Sequence, residues 1–147
     1  MGNRKTPYQP KPYESCGYVK SNGRKQADTS ANLYESMLVS PAFLDLSPRQ
    51  RCLYLACKAQ CYGKRKPSKD FPQIDSLKDD TMFYLNWSAI AKYGLYTSTM
   101  HATFYRDMKV LCEHGFIRQV SSGKLRHEKS IYQYSANWQT WTPTEDP

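Results

Sequence analysis

Residues 86–134, NWSAIAKYGLYTSTMHATFYRDMKVLCEHGFIRQVSSGKLRHEKSIYQY, decide how this chain is read. The pattern predicts a short helix, a tight turn, a longer helix and then a two-stranded hairpin with a basic connecting segment. On a helical wheel, Met100, Phe104, Met108, Leu111 and Cys112 fall on one side, the spacing of an amphipathic helix packed on a core. The other side carries Ser98, Thr99, Ala102, Arg106, Lys109 and Glu113, with Tyr105 on its flank. A solvated surface helix has a face of this kind. So does a helix that enters the DNA major groove: small residues near its N-terminus let the backbone approach, and an arginine can bond guanine through two parallel hydrogen bonds.

The flanking residues separate these readings. Asn86 is suited to cap a helix over residues 87–93, and Gly94 to the position just past its end. Ile90 and Leu95 are expected in the core. Thr97, Ser98 or Thr99 then caps the second helix within a few residues, the spacing of a helix-turn-helix. Gly115 ends that helix, and His114 lies in its last turn, where a protonated imidazole favours the negative end of the dipole. Residues 116–120 and 131–135 are rich in β-branched and aromatic types and read as strands, with Ser121-Ser122-Gly123 breaking between them. The connecting segment holds Lys124, Arg126, His127 and Lys129, a set suited to phosphate or minor-groove contact, although an ordinary solvated hairpin also has this look.

With these residues in hand, the segments SAIAKYGLYTSTMHATFYRDMKVLCEHGFIRQVSSGK and IYQYSANW resemble a bacterial winged-helix DNA-binding domain. The upstream block SPAFLDLSPRQRCLYLACKAQC resembles the lead-in and first helix of one subgroup, the N-terminal domains of replication initiators and replisome organisers of Gram-positive plasmids, phages and conjugative elements. The resemblance spans about residues 33–138 and is most specific at Gly115-Phe116-Ile117 and at residues 132–138. It departs from the family between residues 62 and 82, which are longer and more charged than a typical connection there. It implies an α+β winged helix-turn-helix, a three-helix core with a small antiparallel sheet and wing. It further implies that Ser98, Thr99, Ala102, Tyr105, Arg106 and Lys109 read the major groove, while Lys124, Arg126 and Lys129 hold backbone or minor groove from the wing.

The rest of the chain divides around this unit. The 147 residues suffice for one domain with a core, and the net charge of +8 with pI about 9.3 calls for an anionic partner. Half of that excess sits in the first thirty residues, which hold six Lys/Arg against two Asp/Glu, three prolines by position 12 and no helical or strand period. They read as a flexible basic arm, residues 1–30, which contacts phosphates or is inert. The Met1-Gly2 start matches a short myristoylation pattern that has meaning only in a eukaryotic host. Residues 33–39 are expected to be extended, Ser40-Pro41 to break them, and Phe43 and Leu46 to enter the core. Ser47, Pro48 and Gln50 form a capping box with proline at the first helical position. The helix they open is expected to run to about Tyr62, with Cys52, Leu53, Ala56, Cys57 and Gln60 on one face. Residues 63–80 read as a charged loop in which Lys64, Arg65 and Lys66 are within reach of a DNA backbone, and residues 82–85 as a strand able to pair with the wing hairpin. The domain closes at residue 138, and residues 139–147 form a tail on which Trp141 docks.

Five cysteines, no signal-peptide core and no membrane-length apolar run predict reduced thiols in a cytoplasmic protein. Cys57, Cys61, Cys112 and His114 are the alternative, a metal site, but they include no Cys-x-x-Cys pair. No phosphate-cradling glycine loop, His-Glu-x-x-His or Gly-x-Ser-x-Gly occurs, and His101, His114 and His127 are scattered. The expectation is therefore a non-enzyme with no catalytic residues, cofactor or metal. It would bind double-stranded DNA sequence-specifically in replication initiation or transcriptional control of a plasmid, phage or other mobile element, with replication or transfer proteins as further partners and no membrane association. The alternative is a winged-helix protein-interaction module of a replication or transfer complex, using the same helix face.

Overall fold

Side-chain caps decide where three of the helices begin. The computed structural model describes residues 9–21, 23–28, 30–60, 81–121 and 130–144, and the chain divides into two compact units, Met1–Ser30 and Ala31–Pro147. In the larger unit, Ser40 caps α2 (Pro41–Leu44) by accepting the Phe43 N–H at 3.2 Å. Ser47 and Gln50 close a reciprocal capping box at the start of α3 (Pro48–Lys58), with Pro48 at the first position, where its missing N–H costs nothing. Asn86 caps α4 (Trp87–Ile90) through the Ala89 N–H at 2.9 Å.

Residues 33–39 differ from the extended segment expected. Glu35–Leu38 form α1, a single turn whose first residue is acidic and so complements the positive helix end. Helix α3 stops at Lys58, short of Tyr62, and residues 61–80 lie outside those described. Its buried face is Leu53, Tyr54, Ala56 and Cys57, with Gln60 buried just past its end, whereas Cys52, expected inside, is exposed. The helix is rotated toward Tyr54, whose ring packs on Phe116 at a centroid distance of 5.0 Å.

The sheet is three-stranded and antiparallel, with β5 (Ile131–Tyr134) between β3 (Met82–Tyr84) and β4 (Ile117–Ser121). Strand β3 pairs with β5, placing Phe83 opposite Tyr132, as expected for residues 82–85. Strand β4 pairs with the other edge of β5, with an irregularity between Gln119 and Ser121. Among its described residues the larger unit is thus α+β, with five α-helices and a small antiparallel sheet packed around a main core. Phe43, Leu46, Leu53, Phe83, Ile90, Phe104, Met108, Leu111, Phe116 and Ile117 make its centre. Tyr134 ties sheet to helix by donating its hydroxyl to the Cys57 carbonyl at 2.6 Å.

In the smaller unit, β1 (Tyr18–Ser21) and β2 (Arg24–Ala27) form an antiparallel hairpin within the stretch assigned no strand period. Among the described residues, no helix is long and apolar enough to cross a membrane.

Candidate nucleic-acid interface

Helix α5 (His101–Glu113) is the element on which the expected contact residues converge. It follows α4, a 3-10 turn (Ala91–Tyr93) and Gly94, whose φ of +68° suits glycine and reverses the chain. The single helix expected over residues 87–93 is therefore an α-turn finished by a tighter one. The start of α5 also differs from expectation. Met100 occupies the cap position without a side-chain hydrogen bond, and Thr97, Ser98 and Thr99 remain in the preceding turn, with the Thr97 and Thr99 hydroxyls 3.2 Å apart. Those two hydroxyls meet each other, so neither caps the helix.

Phe104, Asp107, Met108 and Leu111 face inward. Met100 and Cys112, placed on the same side of the wheel, are half-buried. Asp107 was not expected there: it is an aspartate three residues after Phe104, 2 % exposed. Its carboxylate accepts hydrogen bonds from Arg49 Nε at 2.8 Å, Gln50 Nε2 at 3.1 Å and the Tyr96 hydroxyl at 2.7 Å. Burial works to raise its pKa, but the bonds from Arg49, Tyr96 and Gln50 outweigh burial and hold it below the ordinary carboxylate value. Burial and the bond to Asp107 both push the Tyr96 hydroxyl up, which keeps it a donor. One carboxylate thus joins the start of α3, the turn before α5 and α5 itself. Gln50 serves twice, since its side-chain oxygen completes the capping box while its amide reaches Asp107. The signal in the sequence was a lone acid inside the apolar arc of the wheel.

The outer side carries the residues singled out as DNA contacts. Ala102, Tyr105, Arg106 and Lys109 are exposed on α5, and Ser98 and Thr99 are exposed in the turn before it. Lys109 lies 3.9 Å from Glu113 one turn on, an exposed pair worth little. Arg106 has no hydrogen bond or ion pair among the described residues. Between α5 and the sheet runs a groove flanked by His101, Tyr105 and Lys109 on one side and Arg118, Gln119 and Tyr132 on the other. His101 packs edge-on against Trp87 at 4.9 Å and tilted against Tyr105 at 5.0 Å, and of these rings His101 and Tyr105 line the groove. Trp87 and His101 were not among the expected contacts. Lys124, Arg126 and Lys129, with Lys64, Arg65 and Lys66, lie outside the described residues.

The end of α5 is held by packing. Gly115 has φ +83°, and a Cβ there would come within 2.5 Å of the Trp138 backbone nitrogen, so only glycine fits. His114 accepts no solvent role: its ring nitrogens lie 2.9 Å from the Val110 carbonyl and 2.7 Å from an Asp45 carboxylate oxygen, and Trp141 stacks on the ring at 4.4 Å. Cys57 is fully buried, which raises its thiol pKa, and its sulfur meets Met108 at 4.0 Å. Among the described residues no cluster of three metal-binding side chains forms, and Cys61 is outside them.

No protein-family model matches the chain, and no curated protein or solved structure is significantly similar to it.

Proposed function

We propose that the larger unit is a winged helix-turn-helix that binds double-stranded DNA sequence-specifically through the outer side of α5. The order helix, turn, helix, strand, strand, with β3 completing a three-stranded sheet, is the order a winged helix requires. The observation that carries the reading is the division of α5: a buried side fixed by Phe104 and the Asp107 network, and an outer side on which unpaired Arg106 stands one turn from small Ala102. An arginine held on a rigid helix, with no bond to another described residue, suits two-pronged recognition of guanine. The net charge of +8 supplies the long-range attraction to a polyanion.

In this reading Arg106, Tyr105 and Lys109 face base edges or adjacent phosphates, and Ser98, Thr99 and Ala102 let the backbone close on the groove. The process served, replication initiation or transcriptional control on a plasmid, phage or other mobile element, rests on the family resemblance of residues 33–138. Selection of bound duplexes from a randomised pool tests the function. A recurring short site is the expected result, and an unenriched pool at low salt contradicts it. A second reading, a protein-interaction module, is favoured by Tyr105, an aromatic side chain 43 % exposed at the rim of the groove, because tyrosine is enriched in protein interfaces.

A further inference from the structure

We propose that the β1-β2 hairpin is a second nucleic-acid site, a basic β-ribbon that binds the phosphodiester backbone through Lys20 and Lys25 on one face. The choice of nucleic acid over another polyanion rests on the DNA-binding reading of α5.

Four observations carry it. The hairpin register sets Lys20 directly opposite Lys25, so two ammonium groups share one face of a two-stranded ribbon. Like charges in that position repel, and a hairpin of two four-residue strands is marginal in water without further support. An anion between the two ammonium groups turns that repulsion into attraction. Second, the charges are sorted along the ribbon. Asp28 lies past its open end, where Ser15 donates its hydroxyl to the carboxylate and Asp28 N–H reaches the Gly17 carbonyl, while Arg24, Lys20 and Lys25 lie toward the turn. Third, Lys25 Nζ sits 4.4 Å from the centre of the Tyr18 ring, which holds the ammonium on that face rather than leaving it to spread into solvent. Lys20, Arg24 and Lys25 are all exposed. Fourth, a two-stranded ribbon has the width that the major groove admits. A lipid surface fits less well, since interfacial binding draws mainly on a buried apolar face and the Tyr18 ring is half-buried beneath Lys25.

The ribbon contacts phosphates and so adds affinity and salt dependence without choosing a sequence. The test uses the full chain and titrates wild type, Lys20→Gln/Lys25→Gln and Lys20→Arg/Lys25→Arg against the selected duplex and a scrambled one at several salt concentrations. The glutamine pair is expected to weaken both duplexes by the same factor and to lower the slope of log K against log salt by about 2, one unit per lost phosphate contact. The arginine pair, which keeps the charge, is expected to retain the wild-type slope. An unchanged slope in the glutamine pair overturns the proposal even when wild type binds DNA. Binding to phosphatidylserine vesicles that the glutamine pair loses, with duplex binding unaltered, overturns it in favour of a lipid ligand. A lowered slope in the glutamine pair, when Arg106→Ala leaves duplex binding untouched, upholds the ribbon and removes the α5 reading instead.

Discussion

On its inner side α5 presents Phe104, Asp107, Met108 and Leu111, none more than 2 % exposed, whereas on its outer side Ala102, Tyr105, Arg106 and Lys109 stand in solvent. The inner residues are over-determined. Apolar packing and hydrogen bonds from three side chains to one carboxylate fix the rotation of the helix and its distance from α3. Among the described residues, the outer side chains have few contacts: the weak Lys109–Glu113 pair and the ring contacts of Tyr105 with His101 and Phe104. A surface that recognises something needs this combination, since free side chains are useful only when the helix carrying them does not roll. The two sides should therefore fail separately: inner changes should cost stability, outer changes binding.

The largest effect is expected from Phe104→Ala, which empties the middle of the core and should lower unfolding free energy by about 4 kcal/mol in a urea titration. Next comes Asp107→Ala. It strands Arg49, Gln50 and Tyr96 without their shared acceptor; because Arg49 is partly exposed and water can replace the lost partner there, about 2 kcal/mol is expected, mainly from the unmade hydrogen bonds. This cost should depend on pH. Because the folded-state pKa of Asp107 is lowered, its stabilisation is fully present above the ordinary value of 3.8 and is lost as pH falls through the folded value. Wild type and Asp107→Ala should thus differ most at neutral pH and converge in acid, as followed by thermal melts across pH. A constant difference would mean that the carboxylate charge contributes nothing. The outer side supplies the contrast: Arg106→Ala should change unfolding free energy by less than about 0.5 kcal/mol, and a larger loss would show that Arg106 supports the fold. Deleting residues 1–30 should move the melting temperature least, because they form a compact unit of their own.

How far the sequence spoke depended on the range of the interactions involved. The capping box of Ser47 and Gln50, the Asn86 cap and the strand at residues 82–85 were legible because each is written in a few neighbouring residues. So was the inward side of α5, through its period. The start of α5 was not, because Ser98 and Thr99 are good cap types and nothing local says that Thr99 bonds Thr97 instead. Helix α1 was missed because a single turn has too few residues to show a period. Asp107 was placed on no face, since its partners Arg49 and Gln50 lie more than fifty residues away in the chain. The basic hairpin carries a local signal, the Asn22-Gly23 dipeptide, which is strongly associated with two-residue hairpin turns, and Gly23 has φ +75°. The groove and the row of Trp87, His101 and Tyr105 arise only when α4, α5 and the sheet are assembled, so no spacing announces them.

The central question about the molecule is whether the outer side of α5 reads DNA. The direct measurement is a titration of wild type and Arg106→Ala against the selected duplex and a scrambled duplex at several salt concentrations. Wild type is expected to prefer the selected duplex. Arg106→Ala should lose about 1–3 kcal/mol on that duplex, with scrambled binding nearly unchanged, because a base contact and not a phosphate contact has gone. If Arg106→Ala weakens both duplexes equally, Arg106 holds backbone, and sequence must be read by Thr99, Tyr105 or Lys109 or through DNA shape. If wild type binds no duplex at low salt more tightly than a neutral control protein does, DNA recognition is contradicted, and the exposed side of α5 belongs to a protein partner.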